Sequence, residues 1–509
     1  MKILRAALIT LSLALIALPV QAASLNKDDA NKLKTVLDTY LREQIAIMGI
    51  DGVTKLETQG ETTVEMADTY YAATLPYLKV AYPDGSHTDI GMISINALPG
   101  DSPGQWKMRV AIPSPIVVTD KGGTELGRVT IGGQRAAGIW DETMQNFVKL
   151  DALYKDIAFA GSEGSFKIPE TKILYDFKPD ASGKWSGPGT IEASNIQTTD
   201  GTLRIEKVKA DFSIDQYSAV ALKDYRQKIA DLSKSMVTKP SAEISTAFGN
   251  TMLDFLTTAG NGMMARYEIL GFHLAKPASG NDPAINVDIP KGFFAAELGN
   301  LLAGKARFTM QGGFNDLKIS PEPPGSEGLI PTSSSVNIAL DNVPLRDITT
   351  LLRNTMESAI KQPEMQQLAG VSLMVKLPAL LSQAGTTLSI TETHTGNAEY
   401  DVKIEGKAKA DFNAVNSATA DATATFRNLD SLLTKLKAQE KNPQTKDPKG
   451  IQNVIAQLEW IKQVAKTEKS ANGQTLHIID FTMNPQGQML LNGQDMMAMK
   501  GQSAPAPAP

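Results

Sequence analysis

No cysteine occurs anywhere in the 509 residues. That absence excludes disulfides, iron–sulfur clusters, thiol nucleophiles and Cys-type zinc sites together. Histidine is scarce: His87, His273, His394 and His477 are the full set, and they lie far apart in the chain. A His-rich metal centre would need the fold to gather them. A basic excess is also missing, with Lys plus Arg at 50, Asp plus Glu at 55 and a formal net charge of −5. Such a chain is poorly suited to track a phosphate backbone, so no nucleic-acid partner is expected. Aromatic residues make up only 6%. Trp106, Trp140, Trp185 and Trp460 are isolated rather than periodic, which argues against a sugar-stacking platform. No segment reaches 18 uninterrupted apolar residues, the length that a membrane-spanning helix requires.

The longest apolar run, Ala6 to Leu18, has 13 residues and follows Lys2 and Arg5. As a helix it would rise only about 20 Å, short of the ~30 Å hydrocarbon core. Pro19 breaks the run, and Val20-Gln21-Ala22 supplies small residues at −3 and −1 of a cleavage site before Ala23. Met1–Ala22 therefore reads as a secretory signal of bacterial type, and the expected compartment is the periplasm of a Gram-negative cell. Loss of Lys2 and Arg5 leaves 48 basic against 55 acidic residues, a charge of −7.

After the signal, Leu33, Val36, Leu37, Tyr40 and Leu41 form one helical stripe. From Thr54 to about Gly138 the pattern changes to short alternating runs, including a hairpin around Asp120-Lys-Gly-Gly123. The spacing of Met144, Phe147, Val148 and Leu150 predicts a helix over Asp141–Leu153 with Asp141 as its N-cap. Strands resume at Ile173–Phe177, Thr190–Gln197 and Leu203–Ile214. In the last of these the apolar phase flips at Glu206-Lys207, as at a β-bulge.

The remainder reads as strand–helix–helix–strand units spaced by about 100 residues. Leu203–Ile214 leads through helices near Ala219–Met236 and Ala242–Thr257 to Arg266–Leu274. Val336–Leu340 leads through Leu345–Ile360 and Glu364–Leu381 to Leu388–His394. Ala418–Phe426 leads through Leu429–Ala438 and Ile451–Lys466 to Leu476–Met483. The clearest strand is Tyr400 to Ala414, apolar on its even positions and charged on its odd ones, folding back through Asn416-Ser417 into Ala418–Phe426. Residues 23–236 are thus expected to form a β-rich region with one leading helix, 237–500 the repeats, and 501–509 a disordered Ala/Pro tail.

Short motifs fail on context. Gly299 to Ala306 nearly matches a phosphate-binding loop, but Ala306 replaces the hydroxyl that binds Mg²⁺. The stretch before it, Phe294–Leu302, reads as a helix capped by Gly304. Ser358-Ala-Ile-Lys361 matches the S-x-x-K nucleophile pattern without its companion motifs and fits an exposed helix face. Asp84-Gly-Ser-His87-Thr-Asp89 gathers two carboxylates and an imidazole, and suits a hairpin tip better than a metal loop. His394 reads as a strand-end residue with a local hydrogen bond. With carboxylates spread evenly, no catalytic, metal or cofactor residue is nominated and no cofactor is expected.

The stretches Val336–Asp347, Ala410-Asp-Phe412 and Phe481–Gly493 make the second half similar in style to the AsmA-like and YdgA-like bacterial envelope proteins. That resemblance covers about half the chain. It implies a role in outer-membrane lipid homeostasis and carries no catalytic residues across.

The expected fold is α+β: an extended, curved antiparallel sheet with helices packed on one face. The expected function is non-catalytic, a soluble periplasmic protein binding an apolar, lipid-like ligand or an envelope partner. A structural assembly factor with a filled core, or a hydrolase without a recognisable motif, are the alternatives. The groove lining falls on Tyr400, Val402, Ile404, Ala408, Ala410 and Phe412, near Ala420, Ala422 and Ala424. Met252, Met263, Met264, Met310, Met356, Met365 and Met374 offer an adaptable lining.

Overall fold

The computed structural model describes residues 25–48, 54–162, 164–235, 241–279, 283–323, 326, 328–361, 366–442 and 448–499. The expected signal segment Met1–Ala22, Met365 and the expected disordered tail 501–509 lie outside the described residues. The architecture is α+β, dominated by antiparallel sheet. The chain divides into two compact units, Met1–Ala265 and Arg266–Pro509.

The first unit opens with α1 (Lys27–Met48). Asn26 caps it, its Oδ1 accepting the Asp29 amide at 2.8 Å, and Asp28 and Asp29 sit favourably at the positive end of the helix dipole. Ala30, Leu33, Leu37 and Leu41 recur at helical spacing and are all buried. They pack on short strands: β1 (Lys55–Gln59), β2 (Thr63–Met66), β3 (Tyr71–Thr74), β4 (Tyr77–Ala81), β5 (His87–Gly91), β6 (Ser94–Pro99), β7 (Gln105–Ala111) and β8 (Ile116–Thr119). The long strands β9 (Glu125–Asp141) and β10 (Asn146–Gly161) follow. Next come β11 (Gly164–Asp176), β12 (Lys178–Pro179), β13 (Lys184–Thr198) and β14 (Leu203–Ser218). Tyr71, Trp106, Trp140 and Tyr154 fill one core with the α1 leucines. Tyr40 and Phe147 meet Trp140 edge-on, with centroids 4.8 and 5.0 Å away.

The expected hairpin at Asp120 is present between β8 and β9. Asp120 Oδ1 accepts the amides of Gly122 and Thr124, each at 2.8 Å. The helix predicted over Asp141–Leu153 is not: Asp141 ends β9 and Asn146 begins β10. Asp141 still caps, but it caps a turn, accepting the amides of Thr143 and Met144 at 2.9 and 3.0 Å. At a register shift between Phe147 and Lys149 consecutive Phe147 and Val148 are both buried, in two separate clusters, and the unbroken apolar run mimics helical spacing.

The phase flip expected at Glu206-Lys207 belongs to a line that crosses several strands. Asp156 on β10 and Asn195 on β13 are left-handed, at φ 52° and 55°. Leu150, Ala152 and Tyr154 are buried before this line, and Ile157 and Phe159 after it. Pairing continues unshifted on both sides, from Ser194↔Lys207 to Ile196↔Ile205, so no extra residue is inserted. On β9 the line meets Gly132, where a Cβ would lie 2.9 Å from that of Asp156. An inserted residue does occur lower on β14, where left-handed Gln216 follows the shift opposite Trp185 and Gly187.

From β14 the chain passes through α2 (Ala219–Ser235) and α3 (Ser241–Thr258) into β15 (Gly262–Lys276), within which the unit boundary falls. The second unit continues with β16 (Ile285–Gly299), β17 (Ala306–Asn315), β18 (Lys318–Ser320) and β19 (Ser333–Val343). Helices α4 (Leu345–Lys361) and α5 (Gln366–Ala384) lead to β20 (Thr387–Gly396), β21 (Asp401–Ala410) and β22 (Ala418–Arg427). Helices α6 (Leu429–Glu440) and α7 (Pro448–Val464) lead to β23 (Lys466–Lys469), β24 (Thr475–Met483), β25 (Met489–Leu491), β26 (Gln494–Asp495) and the single turn α8 (Met496–Met499). The helix predicted over Phe294–Leu302 is strand as far as Gly299 and turn beyond it, and Gly304, at φ 74°, lies in the turn of the β16–β17 hairpin. Apolar residues on both faces, Phe293 under the Arg266 guanidinium and Phe294 opposite, hide the alternation.

Helix pairs replace simple turns between antiparallel neighbours β19–β20 and β22–β24. Each pair, α2–α3 included, is entered through a left-handed residue, Gln216, Asn342 or Asn428, followed by Tyr217, Val343 or Leu429. The pairs close by short bonds: the Ser218 amide to Ala259 O at 2.6 Å, and Thr386 Oγ1 to Asn342 O at 2.8 Å.

Candidate functional site

The strand expected over Tyr400–Ala414 stops at Ala410. The Asp411 amide donates to Ser417 O and the Asn413 amide to Asp411 Oδ1, both at 3.0 Å, closing a loop. The hairpin itself forms in the expected register, from Asp401↔Arg427 to Ala410↔Ala418.

Following that register outward reveals the main feature of the second unit. Directly opposed residues share a face of a sheet, so a chain of pairings traces a row across it. One row runs Ala296, Met310, Ile338, Ile390, Gly406, Ala422 and Phe481. The row two residues along runs Leu298, Phe308, Leu340, Leu388, Ala408, Ala420 and Met483. All fourteen are apolar, and none is buried; Met310 is 44% exposed. The intervening outward row is largely polar, with Glu297, Thr309, Ser389, Lys407, Asp421 and Thr482. Six spacings between seven strands of ~4.8 Å make the band about 29 Å long.

Helices reach this face at its two ends. Leu345 and Ile348 of α4 pack with Leu298, Phe308 and Leu340 around buried Leu301, Ala306 and Val343. At the opposite end Phe426 packs beneath Leu429, Leu433 and Leu436 of α6 and Ile455 of α7. Leu340 and Ser334 mark these ends on β19, six residues or about 20 Å apart. Between them, among the described residues, Ile338, Val336 and Met310 lie under no buried cluster.

The six nominated residues separate on this geometry. Ala408 lies in the band; Val402 and Ile404 lie on the same face nearer the α6 end, Ile404 exposed. Ala410 closes on the Thr386 carbonyl at 3.0 Å. Tyr400 precedes the strand and is buried, its hydroxyl donating to Leu329 O at 2.7 Å. Phe412 belongs to the loop and is exposed. Of the methionines, Met310 is in the band and Met374 stands exposed on α5. Sequence reading missed Ile338, Ile390, Leu388 and Phe481, because only the register connects them.

The polar clusters are built for holding strands. His87 Nε2 lies 2.6 Å from Thr119 Oγ1 and 3.3 Å from Asp89 Oδ2. Both contacts use one nitrogen, whereas a relay from carboxylate through imidazole to hydroxyl needs both. Ser335 Oγ lies 2.7 Å from His394 Nδ1, but its proton goes to the Glu392 carbonyl at 2.7 Å. Ser358 Oγ likewise donates back to Asn354 O at 2.7 Å within α4. The Gly299–Ala306 segment is strand, turn and strand, without the helix N-terminus that would cradle phosphate. Among the described residues no group of three or more His, Cys, Asp or Glu could hold a metal ion, and no helix is long and apolar enough to cross a membrane. No protein family, no curated protein and no solved structure matches the chain.

Proposed function

We propose that the protein is a non-catalytic binder of an acyl-chain ligand, which lies along the apolar band of the second unit. One observation carries the reading: thirteen apolar side chains and Gly406 share one sheet face, with Met310 and Leu388 exposed and the rest half-buried. In the first unit the equivalent apolar surface is covered by α1 and forms a filled core. A band about 29 Å long is comparable with the ~30 Å hydrocarbon thickness of a bilayer, that is, with two acyl chains end to end. Each methylene laid on it contributes up to about 0.8 kcal/mol, so affinity rises with chain length.

The helix pairs belong to this proposal as repeats of one strand–helix–helix–strand unit. A left-handed residue near the entry of each pair supports that: Gln216 and Asn342 three residues before the helix, and Asn428 directly before it. In this reading the helix pairs wall the two long sides of the band, at the strand ends. The likeness to AsmA-like and YdgA-like envelope proteins, and export to the periplasm, complete the proposal. They would place the band where lipids must pass through water.

Protein purified from the periplasmic fraction without detergent, extracted and analysed by mass spectrometry, should yield acyl lipid in stoichiometric amount. Its N-terminus should read Ala-Ser-Leu-Asn. Lipid-free protein that also fails to bind fatty acids of any chain length overturns the binding reading and leaves an assembly factor. An intact Met1 in membranes overturns the export reading.

A further inference from the structure

At the side of the band where α4 enters, three elements expose large apolar side chains. Helix α5 shows Val371, Met374 and Val375 at i, i+3 and i+4, with Met374 79% exposed. The β21–β22 loop shows Phe412 at 50% and Val415 at 74%. Met489, which opens β25, is exposed as well. These elements are joined: the Phe412 amide donates to Ser382 Oγ in the last turn of α5 at 2.9 Å, and the Val415 amide to Pro485 O at 3.0 Å.

Helix α5 is unusual in composition. Its sequence from Gln366 to Ala384 has no acidic residue and a single cation, Lys376. A helix apolar on all sides is normally buried in a core or in lipid. Here α4 covers only part of it, across an open recess of about 370 Å³ lined by Leu351, Asn354, Ala379 and Leu380.

We propose that this end of the second unit docks on a lipid surface, with the α5 stripe and the tip of the β21–β22 loop entering the acyl boundary. Three features favour lipid over a protein partner. The exposed residues are spread over separate elements, and a deformable medium can meet each without a matched surface. The one cation has a long stem that can keep its ammonium at headgroup level while the stripe is immersed. The patch is continuous with the band through Leu388 and Ala408, so an acyl chain leaving a bilayer there would pass directly onto it. That last point rests on the acyl-binding reading; the first two do not.

Flotation with vesicles of phosphatidylcholine, and of equal parts phosphatidylcholine and phosphatidylglycerol, tests the proposal. Wild-type protein should float with both, more strongly with the anionic mixture. Met374→Asp and Val415→Asp should each weaken binding by about tenfold or more, the loss expected when one such side chain no longer leaves water. Lys376→Gln should remove only the anionic preference. Val415→Trp should shift its emission to the blue on adding vesicles and be quenched by brominated acyl chains. Ala408→Trp, which obstructs the band, should float like wild type while losing copurified lipid, separating docking from ligand binding. The proposal is overturned if wild type stays with the aqueous phase for both compositions, or if the Asp variants float unchanged. It is equally overturned if light scattering finds a dimer that Met374→Asp converts to monomer, because the patch then belongs to a second copy.

Discussion

Replacing Ala408 by Trp asks whether the band is open or closed. Ala408 sits between Leu388 and Ala420, in a row where no side chain is buried. In a filled interface the added indole overpacks and destabilises by about 1–3 kcal/mol. For a unit of some 240 residues that lowers the melting temperature by about 2–4 °C for each kcal/mol. On an open face the indole can lie over Leu388 instead. If about 100 Å² of it leaves water, burial contributes up to about 2.5 kcal/mol. Lost side-chain freedom and imperfect packing offset much of that, leaving stability within about 1 kcal/mol of wild type. The expected outcome is therefore a melting temperature nearly unchanged, with copurified acyl lipid lost. The assay pairs thermal unfolding of lipid-free protein with mass spectrometry of extracts. A fall of several degrees with lipid retained would refute the open band.

Leu33→Ala, by contrast, removes a side chain with no exposed surface from the α1–sheet core and should destabilise the first unit by about 2–5 kcal/mol in chemical denaturation. Asn26→Ala removes the cap on the Asp29 amide and should lower stability by about 1 kcal/mol, with Asn26→Asp close to wild type. The Asp480 carboxyl is held below the usual range by its bond to Lys466, with Thr423 assisting. Its contribution is present above the ordinary carboxylate range and disappears as pH falls through the lowered folded value, so Asp480→Asn and wild type should differ at neutral pH and converge in acid when melting is followed against pH.

Much of the second unit was legible from the residues alone, because strand and helix there carry clean, different periods. Val336–Leu340, Leu345–Ile360 and Leu388–His394 fall within β19, α4 and β20. Legibility failed where a local feature counterfeits the other period. Around Phe147 neighbours on either side of a shifted register are both buried, in separate clusters, and imitate a helix. Around Phe294 both faces of β16 are apolar, so alternation vanishes and the helix-forming Ala295, Ala296 and Leu298 dominate the pattern. The strand at 401–410 was overextended because alternation continues through Phe412 and Ala414, although Asp411 already bonds across the loop. The band was legible only in its β21–β22 hairpin and at Met310; its other members are distant in sequence and become neighbours through seven strands of register.

The two units show one pattern with two endings. In each, alternating strands present an apolar face, and the difference lies in what covers it. Helix α1 carries leucines every fourth residue onto its sheet, and Leu33, Leu37, Tyr71 and Tyr154 become core. The helix pairs of the second unit begin at strand ends, because each follows a strand directly through a left-handed residue. A helix that starts at the end of its strand packs there first, as Leu345 and Ile348 do on Leu340, and α5 returns to the same end at Ser382. Among the described residues no buried cluster with a helix lies over the middle of the face. Leaving apolar surface in water opposes folding, at about 25 cal/mol for each Å² left uncovered. A chain that keeps such a face, while packing its helix pairs at both strand ends of it, has the open trough that the proposed acyl-chain binding requires.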